Sequence, residues 1–244
     1  MTSDPPGDEV RALERALEVE REQAAELRAL DETKNTFLAA VSHDLRTPLA
    51  AILGLAVTLQ RQPLEPEQIK ELAGRIATNA RKLDRMVTDL LDLDRITRGM
   101  VAPDLRPVNL GAVVADVVGG SEIVEGRELS IEVEDVVVEV DAAMVERIVE
   151  NLLANAVRHT PPDSRIWIRV RSEAGGEVIV VEDEGPGVPP EQRLEIFEPF
   201  RQAAAQNDSA GVGVRLALVT RFAELQGRRA WVEDGEHDGA SFRV

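Results

Sequence analysis

The sequence predicts an α + α/β protein, in which a coiled coil and a helical hairpin precede an α/β sandwich. Two observations lead to this fold class. Apolar residues recur at heptad spacing through the first hundred residues, which is the pattern of helices that pack side by side. Beyond residue 110 the pattern changes to short β-branched runs that alternate with helical stretches, as expected for a sheet covered by helices.

The first predicted helix begins near Val10 and keeps a heptad repeat into the hairpin. Its two seam positions hold Val10, Leu17, Ala24, Asp31, Leu38, Leu45, Ile52 and Leu59, and Leu13, Glu20, Leu27, Lys34, Val41, Pro48 and Leu55. A helix of about 50 residues is about 75 Å long and cannot bury such a seam alone, so we expect a partner chain. Glu20, Asp31 and Lys34 interrupt the seam, either as a signal-transmitting junction or as imperfections of the repeat.

The proline-containing stretch 62–66 separates this helix from a second one that returns along it. Its apolar positions follow the same kind of repeat and hold Ile69, Leu72, Ile76, Leu83, Met86, Leu90 and Leu93, with Asn79 among them. Two such hairpins form a four-helix bundle, so we predict a homodimer.

Four segments follow from these patterns. Residues 1–30 are a flexible start and a coiled-coil helix, 31–100 the dimerisation hairpin, 101–110 a linker and 111–244 the α/β domain. In the last segment we predict helices over 110–118, 141–158 and 214–226, and strands over 129–133, 136–140, 166–171, 178–183, 229–233 and 240–244. We expect one sheet with helices on one face.

Composition limits the possible functions. The formal net charge of −17 argues against nonspecific nucleic-acid binding, because phosphate backbones require clustered Lys and Arg. The chain contains no cysteine, which excludes disulfides and thiolate metal sites. No apolar run approaches the roughly 18 residues that a membrane span needs, so we expect a cytoplasmic protein or the cytoplasmic part of a membrane-bound receptor.

Four short motifs occur in order along the chain. They are Ser-His-Asp-Leu-Arg-Thr-Pro-Leu at 42–49, Asn-Leu-Leu-Ala-Asn-Ala at 151–156, Asp-Glu-Gly-Pro-Gly at 183–187 and Gly-Val-Gly at 211–213. Each motif alone is common, but the order and spacing together resemble a bacterial sensor histidine kinase of a two-component system. The resemblance covers roughly residues 31–244. It implies a phospho-acceptor hairpin and an ATP-binding domain of the Bergerat type, shared with type II topoisomerases, Hsp90 chaperones and mismatch-repair ATPases.

The heptad register places the side chain of His43 on the outer face of the helix, with Thr47 one turn further on the same face. A neutral imidazole is a good nucleophile near neutral pH. The resemblance implies that His43 accepts the phosphoryl group and that Asp44 acts as general base. It also implies that Thr47 orients a hydrolytic water on a partner's phospho-aspartate.

On the helix predicted from residue 141, Asn151 and Asn155 are four residues apart and share a face. An amide oxygen suits Mg²⁺, which keeps most of its waters and takes one or two protein ligands. The resemblance implies that Asn155 is the Mg²⁺ ligand. Arg158 and His159 then lie beside the phosphates, where relatives usually have a lysine and an aromatic residue.

The third and fourth motifs imply the rest of the ATP site. By resemblance, Asp183 accepts from the adenine amino group, Gly185 and Gly187 let the backbone approach the base, and Phe200 anchors a lid over 201–210.

Gly211 and Gly213 precede a helix whose N-terminus would face phosphate. The chain departs from the pattern at Arg215, where relatives have a third glycine. The arginine either blocks the triphosphate or binds it, and both interpretations remain open.

The resemblance therefore implies a homodimeric kinase core that transfers phosphate from ATP·Mg²⁺ to His43 and then to a response-regulator aspartate. Regulator phosphatase activity is a second capacity, and an upstream sensor domain is implied if the natural chain is longer. One alternative is a catalytically impaired scaffold or phosphatase that binds ATP weakly because of Arg215. Another is an ATPase of the chaperone or DNA-repair kind, against which the acceptor motif and the heptad hairpin argue.

Overall fold

The computed structural model describes residues 7–244 except 122–123, 125, 174 and 200–212. Its N-terminal part consists of two long helices, α1 (Gly7–Arg61) and α2 (Pro66–Thr97), which pack against each other. Helix α1 continues through Pro48, whose missing N–H leaves the carbonyl of Asp44 without its helical donor. The hairpin predicted from the heptads is confirmed.

Helix α2 begins and ends at signals that are visible in the sequence. Pro66 occupies the first turn, where a missing N–H costs nothing. Glu65 and Gln68 form a reciprocal capping box, with the Glu65 amide donating to Gln68 Oε1 at 3.1 Å. After the helix, Gly99 takes a positive φ of 66°, a conformation that glycine adopts at little cost.

The C-terminal part is an α/β domain with two sheets. A five-stranded sheet has the order β2-β4-β5-β7-β6, in which only β2 and β4 run parallel, and a separate antiparallel ribbon joins β1 and β3. The elements are β1 Arg106–Asn109, α3 Leu110–Gly120, β2 Glu128–Val133, β3 Val137–Val140, α4 Ala142–His159, β4 Arg165–Glu173, β5 Gly176–Asp183, α5 Arg215–Leu225, β6 Trp231–Asp234 and β7 Ala240–Arg243.

Strand β1 differs from the expectation for this segment, because it lies within the stretch 101–110 that the sequence predicts as a linker. It pairs with β3 from Arg106 opposite Val140 to Asn109 opposite Val137. Pro107 disfavours a strand in a sequence-based prediction, but a two-stranded ribbon has only edge strands, where a missing N–H is tolerated. The ribbon also means that the domain has two sheets rather than one.

The core lies between the five-stranded sheet and helices α3, α4 and α5. The largest fully buried side chains come from α4, β4, β5 and α5 and include Ile148, Leu152, Leu153, Ile166, Ile168, Val181 and Leu218. Leu93 and Ile96 of α2 belong to the same apolar cluster. The end of the hairpin therefore packs into the core of the α/β domain of its own chain.

Apolar side chains remain exposed on the outside of the hairpin. Leu49 and Leu53 on α1 and Leu91 on α2 are 57%, 65% and 52% exposed. None of the helices in the described part of the chain combines the length and apolar character required to cross a membrane.

A buried acid, Glu182, lies on the face of the sheet opposite the helices. Its carboxylate accepts from Arg169 Nη1 at 2.9 Å and lies 2.6 Å from His237 Nδ1, while the His237 ring stacks on Trp167 at 3.7 Å between centroids. Burial alone would raise the pKa of Glu182, but the hydrogen bonds from His237 and Arg169 lower it below the ordinary value. Nothing in the sequence pattern singles out these residues.

Because the pKa of Glu182 is lowered on folding, the ionised carboxylate stabilises the domain above the ordinary glutamate pKa, and this stability disappears as the pH falls through the lowered value. We expect Glu182→Gln to cost about 2 kcal/mol at neutral pH, because a charged hydrogen-bond acceptor is lost. We also expect it to flatten the acid side of the stability profile. Urea unfolding between neutral and acid pH measures both. If the free energy of unfolding fell equally steeply with falling pH in wild type and variant, the role assigned to Glu182 would be contradicted.

Candidate active site

His43 is exposed, while the neighbouring acid is buried. The side chain of His43 is 67% exposed and that of Asp44 is 3% exposed, with His43 Nδ1 lying 3.2 Å from Asp44 Oδ1. A neutral imidazole that donates from Nδ1 to this carboxylate keeps a lone pair on Nε2, directed away from the contact. The geometry therefore presents Nε2 as a nucleophile. Burial of the adjacent acid is a feature that the heptad pattern does not predict.

Thr47 lies one turn beyond His43 and is exposed, as the register predicts. Its hydroxyl donates to the carbonyl oxygen of His43 at 3.2 Å. The second oxygen of Asp44, Oδ2, is buried and has no hydrogen-bond partner among the described residues. An acceptor that is buried without a partner is costly, so this atom is available to a group that enters the site.

The end of α4 lies close to this acid. Burial lowers the pKa of Arg158, and the carboxylate of Asp44 opposes that shift. The two residues are 114 positions apart in the printed sequence, and the fold brings them within electrostatic range. The first motif and the end of the helix that carries the second motif therefore lie within electrostatic range of each other in one chain.

Helix α4 is fixed at its N-terminus by Asp141, whose side chain accepts from the Met144 amide at 3.2 Å. The Asn151 side chain donates back to the carbonyl of Arg147 at 2.8 Å. Asn155, one turn later, is mostly buried, and its amide makes no hydrogen bond within the described part of the chain. Its oxygen is therefore free to bind a ligand.

Arg127 fixes the other end of α4. Its guanidinium donates to the carbonyls of Val157 and Thr160 at 2.7 and 3.2 Å and also to the carbonyl of Pro161. A cation at a helix C-terminus satisfies the last carbonyls and complements the helix dipole. Sequence analysis missed this residue, because the contact joins positions 30 or more apart and no local pattern records it.

Asp183 ends β5 and is 2% exposed. It accepts from the Gly185 amide at 2.8 Å through Oδ1. Burial raises the pKa of Asp183 and the negative charge of Glu182 adds to this, while the amides of Gly185 and Ala240 oppose it. Asp183 is thus a buried acceptor, held in one orientation.

The glycines of the third motif are tightly packed around this acid. A Cβ at Gly185 would lie 2.6 Å from Asp183 Oδ1, and Gly187 has a positive φ of 71°. The closest approach comes from a residue outside the predicted set: a Cβ at Gly239 would lie 1.6 Å from the carbonyl oxygen of Asp183. The loop between β6 and β7 therefore packs directly against the end of β5.

Three basic side chains lie together where α4 ends and α5 begins. Burial lowers the pKa of Arg215, and Arg158 adds to the shift. The pKa of His159 is lowered in the same way, first by desolvation of its ring and then by the charges of Arg158 and Arg215. Like charges that raise each other's energy form a site that an anion stabilises.

Of the other predicted residues, Gly213 has a positive φ of 64° and lies just before α5. Phe200, Gly211 and the predicted lid over 201–210 lie outside the described residues. Within the described part, no group of three or more His, Cys, Asp and Glu side chains could hold a metal ion. The acids of this site therefore do not form a metal site by themselves, and the free amide of Asn155 fits an ion that keeps most of its waters.

Comparison with known proteins agrees with this arrangement. Residues 140–244 match the family model "Histidine kinase-, DNA gyrase B-, and HSP90-like ATPase", and residues 33–99 match "His Kinase A (phospho-acceptor) domain". The circadian input-output histidine kinase CikA of Synechococcus elongatus is 30% identical over 97% of this chain. The chain spans 33% of that protein's length.

Among solved structures, full-length ShkA in complex with AMPPNP is 28% identical, with a TM-score of 0.58 over 84% of this chain and 44% of that one. The histidine kinase ThkA, solved in complex with the response regulator protein TrrA, has a TM-score of 0.63 at 24% identity. The match covers 93% of this chain and 64% of ThkA, and at this identity it shows the shared fold alone. The chain belongs to the two-component sensor histidine kinases and contains their phospho-acceptor and ATP-binding core.

Proposed function

We propose that this chain phosphorylates His43 from ATP and passes the phosphoryl group to an aspartate of a response regulator. The observation that carries the proposal is the exposed imidazole of His43 held through Nδ1 by the buried carboxylate of Asp44. The contact leaves Nε2 free to react. We place the reaction in the cytoplasm, as the composition suggests.

In the first step, Nε2 of His43 forms a bond to the γ-phosphorus as the bond from that phosphorus to the bridging β-phosphate oxygen breaks, and ADP leaves. Positive charge develops on the ring, and Asp44 acts as general base by accepting the Nδ1 proton, which leaves a neutral phosphohistidine. In the second step the regulator's aspartate displaces His43 from phosphorus.

The nucleotide residues have the roles that the family implies. Asp183 accepts from the adenine amino group, and Arg158 and His159 face the triphosphate. Arg215, where relatives have a glycine, is proposed to face the triphosphate as well. Asn155 would hold Mg²⁺, which neutralises phosphate charge when it is bound. Asn151, Gly185, Gly187, Phe200, Gly211 and Gly213 complete the proposed site.

The proposed partners are a second copy of the chain and a response-regulator receiver domain. The exposed apolar side chains of Leu49, Leu53 and Leu91 support a homodimer, because a second hairpin would cover apolar surface of this kind. Membership of the two-component sensor histidine kinases supports the second partner. Thr47 is exposed beside His43, which suits its proposed role in regulator dephosphorylation.

The direct test is incubation of the purified chain with γ-labelled ATP and Mg²⁺. We expect label that is acid-labile and alkali-stable, as a phosphoramidate is, and we expect His43→Ala to abolish it. Ser42→Ala is the control, because the exposed Ser42 hydroxyl donates to the carbonyl of Leu38 on its own helix, and this variant should retain labelling. Label that persists in the His43→Ala variant would refute the assignment of the acceptor.

Arg215 tests the two interpretations of the altered glycine motif. Because its charge lies beside Arg158 and His159, we expect Arg215→Ala to weaken ATP binding by about tenfold, as for loss of a charge-assisted hydrogen bond. Arg221→Ala on the same helix is the control, since Arg221 pairs with Glu224 on the surface. Calorimetric titration measures both. Tighter binding in Arg215→Ala or Arg215→Gly would favour the catalytically impaired alternative.

Gly239 tests the geometry of the adenine pocket. A methyl group there would overlap the carbonyl of Asp183, so we expect Gly239→Ala to move this strand end and weaken ATP binding by more than about tenfold. Gly119→Ala is the control, because a Cβ there meets open space. Its helix should become slightly more stable, by about 0.5 kcal/mol. Unchanged affinity in Gly239→Ala would contradict the close packing.

A further inference from the structure

Ion pairs join the hairpin to the α/β domain of the same chain. Arg147 on α4 donates from Nη2 to Asp89 Oδ1 at 2.9 Å and to Asp92 Oδ2 at 3.0 Å, and both acids lie on α2. Its Nη1 donates to Glu150 at 3.1 Å, one turn along its own helix. The guanidinium is therefore held by three carboxylates in one orientation across the two domains.

The pairs lie at the edge of the apolar contact between the domains. Asp89 is 8% exposed, and Leu93 and Ile96 follow it along α2 into the core of the α/β domain. Helix α2 also packs on α5. If α2 packed against α4 one helical turn out of register, a buried carboxylate and a guanidinium would lose their partners, which is strongly unfavourable.

Burial acts against both charges in this contact. Burial raises the pKa of Asp89 despite the opposing charges of Arg147 and Arg215. The pKa of Arg147 is also raised: burial acts against its charge, but Asp89, Asp92 and Glu150 outweigh it. Asp89 is the more buried partner and bears the larger desolvation cost, as in buried ion pairs that specify one arrangement of two elements.

The same seating brings the acceptor helix to the nucleotide domain. Arg158, at the end of α4, lies within electrostatic range of Asp44 on α1 of the same chain. Asp44 is buried, and its Oδ2 has no partner in the described part of the chain. Helix α2 thus contacts the nucleotide domain that follows it in sequence, and the acidic neighbour of His43 on α1 lies within electrostatic range of that domain.

We infer that Asp89, Asp92 and Arg147 are positioning residues that seat the nucleotide domain on its own hairpin, so that His43 receives phosphate from ATP bound to the same chain. The inference rests on the proposed function, because it specifies how that reaction runs within the dimer. It assigns the three residues no contact with substrate.

Mixed dimers test which chain supplies the phosphate. One chain carries His43→Ala and the other Asp183→Asn, with tags of different size, and heterodimer formation is verified by sequential affinity capture. Within-chain transfer predicts no label above that of each variant alone. Label on the Asp183→Asn chain would overturn the inference. Absence of label in the wild-type homodimer would instead refute the proposed function, so the two failures are distinguishable.

If these residues only position the domain, their loss should lower the rate of His43 labelling without changing the affinity for ATP. We expect Asp89→Asn to lower the rate of His43 labelling at saturating ATP by about tenfold or more, with the Kd for ATP unchanged. Asp94→Asn is the matched control, because Asp94 pairs with Arg98 on the same helix. Arg147→Gln should have a similar effect, and the double variant should lose less than the sum of both free-energy changes. Equal rates for Asp89→Asn and wild type would overturn the role.

A cross-linking experiment tests the seating without reference to activity. The chain has no cysteine, so Asp92→Cys and Glu150→Cys can be introduced together while Asp89 and Arg147 remain. Dimers assembled from ¹⁴N and ¹⁵N chains are treated with a short bis-maleimide and digested. Within-chain seating predicts joined peptides of one isotope only. Joined peptides of mixed isotope would place the nucleotide domain on the partner's hairpin and overturn the inference.

Discussion

The packing of helix α4 against the sheet determines where the other parts of the site lie. Its apolar face, with Ile148, Leu152 and Leu153 fully buried, fixes its rotation, and caps from Asp141 and Arg127 fix its two ends. Once this helix is placed, Asn151 and Asn155 lie at the edge of its apolar face, Arg147 in its middle reaches the hairpin, and Arg158 in its last turn lies within electrostatic range of Asp44. A rotation of one residue, about 100°, would displace all of these side chains together.

The site concentrates charge that the fold must bury at a cost. Asp44, Asp89 and Asp183 are all nearly inaccessible, and burial raises the pKa of the last two. The protein as a whole carries a formal charge of −17, yet two arginines and a histidine meet at the start of α5. A cationic pocket in an acidic protein attracts a polyanionic nucleotide locally, while the rest of the surface repels one. The charged groups that are costly to desolvate are thus the ones that orient the helices or are proposed to bind the nucleotide.

Sequence patterns predicted the features that depend on local periodicity. The heptad register predicted an exposed His43, and the cap at Asp141 predicted the start of α4 to within one residue. Sequence patterns did not predict contacts between positions that are far apart in the chain. Asp89 and Arg147 are 58 residues apart, and Arg127 reaches its carbonyls across 30 or more, so no periodic pattern connects them. Strand β1 was missed because Pro107 disfavours a strand locally, whereas its pairing with β3 depends on the tertiary fold.

Arg215 shows how one substitution in a glycine motif can serve two neighbours. Its charge acts on Asp89 of the hairpin and on Arg158 and His159 of the nucleotide pocket. A bound triphosphate would place negative charge beside the same guanidinium. Arg158 and Arg215 would then be stabilised by the triphosphate as well as by the acids of the hairpin. Arg215 therefore lies between the acids of the hairpin and the basic groups of the proposed nucleotide site. A glycine at this position would leave the pocket and the hairpin without this connection.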